Sequence, residues 1–134
     1  MGKRFQKIFP STITNIEEAG KCYATDRNTA CVFHLMGVLE IGLDVVCKAL
    51  GIAGSTNRSW HSKLDKIKKE SQAKYPSGEM ADFYSGVATF LSSLKDAWRN
   101  PTMHVVKTYS SDEALDIFNV VKGFMNHLAK KLKE

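Results

Sequence analysis

Apolar residues spaced three and four positions apart dominate the last part of the chain. The set comprises Ala114, Ile117, Phe118, Val121, Phe124, Met125, Leu128 and Leu132. This spacing places all of them on one face of an α-helix. Ser110 and Glu113 stand immediately before it in the pattern of a capping box, which marks a helix start. Because no segment alternates with period two for long enough to form a strand, the sequence predicts an all-α fold.

Helix-cap signals and apolar residues at helical spacing indicate four further helices. We expect helices from near Asn15 to Asp26 or Arg27, from Asn28 to Leu50, from Trp60 to about Lys74, and from Met80 to Trp98. Gly51 suits the C-terminal cap of the second helix. The 134 residues are typical of one folding unit. We therefore predict one domain, residues 1–134, built as an up-and-down bundle of four to five main helices.

The most apolar stretch, Ala30 to Ala53, resembles a membrane span in length. His34, Glu40, Asp44 and Lys48 interrupt it, and the last three are four residues apart, so they form one polar stripe on a helix. We interpret the stretch as a helix buried in the domain, without a membrane contact.

Three cysteines, Cys22, Cys31 and Cys47, lack CxxC spacing and are odd in number. This usage is typical of reduced thiols and predicts a cytoplasmic protein. No two histidines have metal-ligand spacing with Cys or Asp, so we expect neither a metal nor another cofactor. His34 is expected to be a core histidine bonded to a carboxylate or carbonyl, whereas His61 and His127 should face solvent.

The chain carries 19 Lys and Arg against 14 Asp and Glu, a net charge of +5 that favours a polyanionic partner. Six basic residues against two acidic ones fall between Arg58 and Lys74. A solvated helix face gives the same pattern as a nucleic-acid contact, so both interpretations stay open. A helix-turn-helix is not evident there, and DNA is therefore a poor candidate.

The segment from Trp98 to His104 contains residue types that suit phosphodiester chemistry. Arg99 can hold phosphate oxygens in a bidentate manner, and His104 can exchange a proton near neutral pH. Asp96, three residues before Arg99 on a helix, can orient the arginine or the histidine, or form an ordinary surface ion pair. A structural hydrogen-bonding role fits the same residues.

This segment, with its flanking helices, resembles the HEPN family, the higher eukaryotes and prokaryotes nucleotide-binding domain. Its signature is an Arg, a polar residue and a His after four to six intervening residues, which Arg99, Asn100 and His104 match. The stretch from Ala30 to Met36, Glu40, and the stretch from Lys48 to Ile52 resemble the second helix of bacterial members. Residues from Ala114 to Leu128 resemble their last helix. Val106 stands where some members carry a modifiable Tyr, and Gly37 where many carry a basic residue.

The resemblance implies a HEPN-like bundle that forms a homodimer and cleaves RNA without a metal, with roles as a toxin or defence effector. An antitoxin protein is then among the expected partners. On this interpretation Arg99, Asn100 and His104 are catalytic, Asp96 orients them, and Lys66, Lys69 and Lys107 bind RNA. The alternative is a non-catalytic dimeric module that uses the same pocket to bind a nucleotide or a protein.

Overall fold

Every regular element in the described part of the chain is helical. A computed structural model describes residues 4–54, 59–99 and 108–134, with backbone only at residues 4 and 99. The α-helices are α1 (Arg4–Ile8), α2 (Ile13–Ala24), α3 (Asn28–Ala49), α4 (Trp60–Lys74), α5 (Glu79–Leu94) and α6 (Ser111–Ala129). A 3₁₀ turn, Pro10–Thr12, joins α1 to α2, and a π-helix, Lys95–Arg99, follows α5. The prediction of an all-α fold is confirmed.

Helix α3 lies at the centre of the bundle. It packs along α2 and α6 and also contacts α4, whereas α5 packs mainly on α4. Leu35, Leu39, Leu43 and Val46 of α3 have no exposed surface. Each fully buried side chain of this kind contributes roughly 2 kcal/mol of hydrophobic stabilisation. The core is therefore organised around α3.

The same helix is long and apolar enough to cross a membrane by length and composition, the one such helix among the described residues. In the structure, 61% of its most apolar window is buried against the rest of the domain. Packing inside the bundle thus covers most of the apolar surface that a membrane span would expose, in agreement with the interpretation of Ala30 to Ala53 as a buried helix.

Close packing of α3 on α6 depends on Gly42. A Cβ atom at this position would lie 2.9 Å from Met125 Sδ and 3.2 Å from Leu128 Cδ1. Both distances are shorter than ordinary carbon contacts, so a larger residue would push α6 away or force its side chains to move. Gly42 therefore lets the two helices approach each other.

Helix ends follow the predicted capping chemistry at two places. Gly51 has a φ of +73°, the left-handed conformation that glycine adopts most easily, and its amide donates to the Lys48 carbonyl. The Ile52 amide donates to the Cys47 carbonyl, which completes a Schellman motif after α3. At the start of α6, both hydrogen bonds of the Ser110–Glu113 capping box are present.

The end of α5 differs from the prediction. The helical spacing suggests one α-helix to Trp98, but the α-helix ends at Leu94 and the chain continues as the π-helix. Leu94 is buried and Trp98 is half-buried, so both remain on the core side despite the change. Apolar spacing reports which side of the chain is buried, and it does not distinguish an α-helical turn from the wider π turn.

Candidate functional site

The Arg99–His104 segment connects the π-helix to α6. The described backbone reaches Arg99 as the last π-helical residue and resumes at Thr108. Asn100, His104 and Lys107 lie outside the described residues. The structure therefore defines the residues on either side of this segment.

The C-terminal end of the segment is anchored to the start of α3. Tyr109 is 7% exposed, and its backbone amide donates a hydrogen bond to Thr29 Oγ1 at 3.1 Å. Ser110 follows directly as the cap of α6. The backbone is therefore fixed two residues after Lys107 by a contact to a different helix, 80 positions earlier in the chain.

A buried acceptor stands beside this anchor. Asn28, the first residue of α3, donates from Nδ2 to Asp26 Oδ1 at 3.0 Å. Its own Oδ1 is buried and has no hydrogen-bond partner among the described residues. An unsatisfied buried acceptor is unfavourable and can accept from an imidazole, guanidinium or backbone N–H group. Asn28 is thus a polar group near the anchor that sequence reasoning did not identify.

A small cavity lies where the π-helix meets the first turns of α6. Trp98, Glu113, Asp116 and Ile117 line this space of about 190 Å³. Trp98 and Ile117 supply apolar walls, and the two acidic residues give the cavity negative charge. A negative potential beside the segment disfavours an RNA phosphate in this particular cavity and favours a cation or a guanidinium group.

Asp96 extends from the π-helix into solvent. Its side chain is 76% exposed, and Oδ1 lies 3.8 Å from Lys95 Nζ, at the outer limit of an ion pair. The sequence assignment of Asp96 as an orienting residue used α-helical geometry, in which residues three apart share a face. The chain is a π-helix here, and the Arg99 side chain and His104 lie outside the described residues, so the orienting role of Asp96 stays a prediction.

His34 has the role of a core histidine that the sequence predicts. Its Nδ1 lies 3.2 Å from Asn15 Oδ1, which is an amide carbonyl on α2, and the ring is half-buried. Phe33 packs edge-on against the ring. His61 and His127 are exposed, also as predicted.

Gly37 faces the same Asn15 side chain. A Cβ atom at residue 37 would lie 2.9 Å from Asn15 Nδ2. A larger side chain at this position would therefore displace Asn15 from His34. Glycine at this position and the histidine–asparagine pair belong to one local arrangement.

The polar stripe on α3 joins α3 to α4. Glu40 Oε1 accepts from Trp60 Nε1 at 3.1 Å, and Asp44 Oδ1 lies 2.7 Å from Lys63 Nζ. Trp60 and Lys63 are both buried. Two positions that interrupted the apolar run are thus acceptors for two residues of a neighbouring helix, and Lys63 is turned inward rather than toward a nucleic acid.

The remaining lysines of the basic stretch differ in their surroundings. Lys69 is exposed, and its Nζ lies 3.0 Å from Asp65 Oδ2. The hydrogen bond and the charge of Lys69 lower the pKa of the Asp65 carboxyl. Lys66 is half-buried. Since Lys63 and Lys69 are paired with acids, the positive charge available at this surface is smaller than the sequence count indicates.

An apolar groove separates α5 from α6 on the surface. It has a volume of about 470 Å³, and Gly86, Phe90, Val120, Gly123 and Phe124 contribute to its lining. The rings of Phe90 and Phe124 stack with centroids 4.8 Å apart. Both helices that flank the Arg99–His104 segment therefore also border an exposed apolar surface.

Comparison with known proteins adds no assignment. No protein-family model, no curated protein sequence and no solved structure matches this chain. The fold and the candidate site therefore define the protein as an all-α domain. A polar segment of its sequence connects the π-helix to α6.

Proposed function

We propose that this protein is a metal-independent endoribonuclease of HEPN type, with Arg99, Asn100 and His104 as its catalytic residues. The observation that carries the proposal is the Arg–Asn–x₃–His sequence itself, at the junction of the last two helices. The anchoring of Tyr109 to Thr29 supports it, because a catalytic segment needs backbone restraint to position its side chains.

The proposed chemistry uses the RNA as its own nucleophile. A neutral His104 removes the proton from a ribose 2′-oxygen, which attacks the adjacent phosphorus, and the bond to the 5′-oxygen breaks. A protonated His104 supplies the proton to that leaving oxygen, while Arg99 stabilises negative charge on the phosphorane. Asn100 orients the phosphate. The products are a 2′,3′-cyclic phosphate and a 5′-hydroxyl, and no metal takes part.

A homodimer supplies the two histidines that this scheme requires. Two copies of the segment in one cleft provide one neutral and one protonated imidazole, which a single motif does not readily provide. The apolar groove along Phe90 and Gly123 supports a dimer, since its two helices also flank the motif. Substitution of Gly123 by Arg should then convert a dimer to a monomer in light scattering, at concentrations of roughly tens of micromolar.

RNA contacts at Lys66, Lys69 and Lys107 are part of the proposal. If Lys66 contacts phosphates, Lys66→Gln should weaken binding of all RNA sequences and reduce the salt dependence. Lys69→Gln should have a smaller effect, because Asp65 already pairs with that lysine. If RNA affinity and its dependence on salt concentration stay unchanged in both variants, these lysines are solvated and do not contact RNA.

A non-catalytic module is the second candidate, and the acidic cavity favours it. Glu113 and Asp116 line this cavity on the α6 side, where an RNA phosphate would be repelled. A basic segment of a protein partner suits this charge. Toxin activity and an antitoxin partner are expected only if the protein is a ribonuclease.

The decisive experiment is incubation of the purified protein with RNA in EDTA. The proposal predicts cleavage with 2′,3′-cyclic phosphate ends, loss of cleavage in Arg99→Ala and His104→Ala, and an unchanged helical circular dichroism signal. His61→Ala is the matched control, because His61 is an exposed histidine on α4. Absence of cleavage by the folded wild-type protein over a range of RNAs favours the non-catalytic module.

A further inference from the structure

A second cavity lies between α4 and α5. Its volume is about 390 Å³, within the range of small-molecule sites. Its lining includes Lys68, Gln72, Tyr75, Asp82, Tyr84 and Ser85. The cavity shares no lining residue with the cavity beside Trp98 or with the apolar groove. Nothing in the proposed cleavage chemistry uses it.

The aromatic faces in this cavity are already occupied. Tyr75 and Tyr84 stack on each other, with an interplanar angle of 16° and ring centroids 5.6 Å apart. The Lys74 ammonium group lies over the Tyr75 ring, 5.8 Å from its centroid, and Phe83 packs edge-on against Tyr84. The cavity is therefore suited to a ligand that is held by hydrogen bonds and charges rather than by stacking of a planar ring.

The Tyr84 hydroxyl is a polar group without a partner in this cavity. Tyr84 is 2% exposed and lines the cavity, and its side chain forms no hydrogen bond with any described residue. Its oxygen keeps some accessible surface, unlike the fully enclosed Oδ1 of Asn28. Burial, together with the nearby Tyr75, raises the pKa of Tyr84, so the hydroxyl stays protonated at neutral pH. It can therefore donate a hydrogen bond to an acceptor on a ligand.

Opposite charges stand at the two ends of the cavity. Lys68 lies two helical turns before Tyr75, the residue that ends α4, which is about 10 Å along the helix axis. The turn at residues 76–78 connects Tyr75 to α5, and Asp82 belongs to the first turn of α5. Neither the Lys68 nor the Asp82 side chain forms an ion pair or a hydrogen bond with a described residue. One end can thus bind an anionic group and the other a cationic group.

We propose that the cavity binds a free amino acid with a cationic side chain, and that arginine is the best fit. The carboxylate of arginine binds Lys68 and accepts from the Tyr84 hydroxyl, while its guanidinium group donates paired hydrogen bonds to the Asp82 carboxylate. These charged ends are about 7 Å apart in an extended arginine, from standard bond lengths, so one molecule spans much of the cavity. The Gln72 amide oxygen accepts from the α-ammonium group. This binding does not depend on the ribonuclease proposal, since it uses none of the residues assigned to cleavage.

Calorimetric titration with L-arginine, L-norleucine and agmatine tests the proposal. Norleucine lacks the guanidinium group and agmatine lacks the carboxylate, so each should bind roughly tenfold or more weakly than arginine. Lys68→Met should weaken arginine binding by roughly fivefold or more and leave agmatine binding unchanged. Lys69→Met is the matched control: it removes the same charge one residue away, does not line the cavity, and should leave arginine affinity unchanged.

Two substitutions test the cationic end and the buried hydroxyl. Asp82→Asn should weaken arginine binding by roughly tenfold and leave norleucine binding unchanged. Its control is Asp112→Asn, which removes an exposed acid from the first turn of α6, away from the cavity lining. Tyr84→Phe should weaken arginine binding by roughly fivefold while the circular dichroism spectrum stays unchanged.

Three results would overturn the proposal. The first is absence of arginine binding up to about 1 mM. The second is equal affinity for arginine and norleucine, because Asp82 would then not bind the side chain of the ligand. The third is equal weakening by Lys68→Met and Lys69→Met, because that result indicates general charge attraction.

Discussion

Lys63 Nζ lies 2.7 Å from Asp44 Oδ1, and this ion pair joins α4 to the central helix α3. Its two members differ in exposure: the Lys63 side chain is 8% exposed, whereas that of Asp44 is 36% exposed. Water can therefore solvate the carboxylate if the lysine is removed, but it can hardly reach the ammonium group if the carboxylate is removed. Removal of one partner should therefore change the free energy of unfolding by a different amount from removal of the other.

Removal of Asp44 should consequently cost more stability than removal of Lys63. Asp44→Ala leaves a buried, unpaired ammonium group and should lower the free energy of unfolding by about 2 kcal/mol or more. Lys63→Met keeps the apolar stem and should cost less than about 1 kcal/mol. Urea unfolding followed by circular dichroism measures both values. Equal losses in the two variants would contradict the asymmetry.

Glycine positions on the helices offer a second test. Gly42→Ala should lower the free energy of unfolding by about 1–3 kcal/mol, because its Cβ would meet Met125 Sδ at 2.9 Å. Gly20→Ala on α2 is the control, since no atom lies within 4 Å of the added Cβ. That variant should gain up to about 1 kcal/mol from the better helix propensity of alanine. Thermal unfolding measures the stability of both variants. If Gly42→Ala raises the stability, α6 can move to make room for the added methyl group.

The helices could be predicted from the sequence because their signals are local. Apolar spacing indicates which residues share a face, and Gly51 and Ser110 mark helix ends through contacts within a few residues. The three-dimensional partners of polar residues are not local. The sequence indicates the polar stripe that contains Glu40 and Asp44. It does not indicate their partners Trp60 and Lys63, which are about twenty positions away and become neighbours only in the folded bundle.

The candidate site shows the same division. The Arg99–His104 motif is a sequence feature, and its chemistry follows from the residue types alone. The π-helix before it and the Thr29–Tyr109 hydrogen bond could not be predicted, because apolar spacing fits either helix type and the bond spans 80 positions.

The Cys31 thiol should make stability fall at alkaline pH. Burial, reinforced by Cys22, raises the pKa of Cys31 from 9.0 to about 11. Below pH 9 the thiol is protonated in both states and has no effect. Between pH 9 and 11 the unfolded chain releases this proton while the folded protein retains it, so the free energy of unfolding decreases, by about 2 kcal/mol at pH 11.

Cys31→Ala isolates this contribution from other groups that titrate at high pH. Urea unfolding of both proteins in a reducing buffer gives a stability difference at each pH. That difference should be constant below pH 9 and shift in favour of the alanine variant above it. A difference that stays constant through pH 11 would mean that Cys31 ionises alike in both states.

The Thr29–Tyr109 hydrogen bond should control the restraint of the proposed catalytic segment. Thr29→Val keeps the shape of the side chain but removes the oxygen that accepts from the Tyr109 amide, whereas Thr29→Ser retains it. Loss of one such bond should weaken the anchor by about 1 kcal/mol and raise the exchange rate of the Tyr109 amide by roughly fivefold. If the segment is catalytic, Thr29→Val should lower kcat more than Thr29→Ser, with little change in global stability.

Amide exchange tests the anchor whether or not the protein cleaves RNA. Identical exchange at Tyr109 in the two variants would show that Thr29 does not hold this end of the segment.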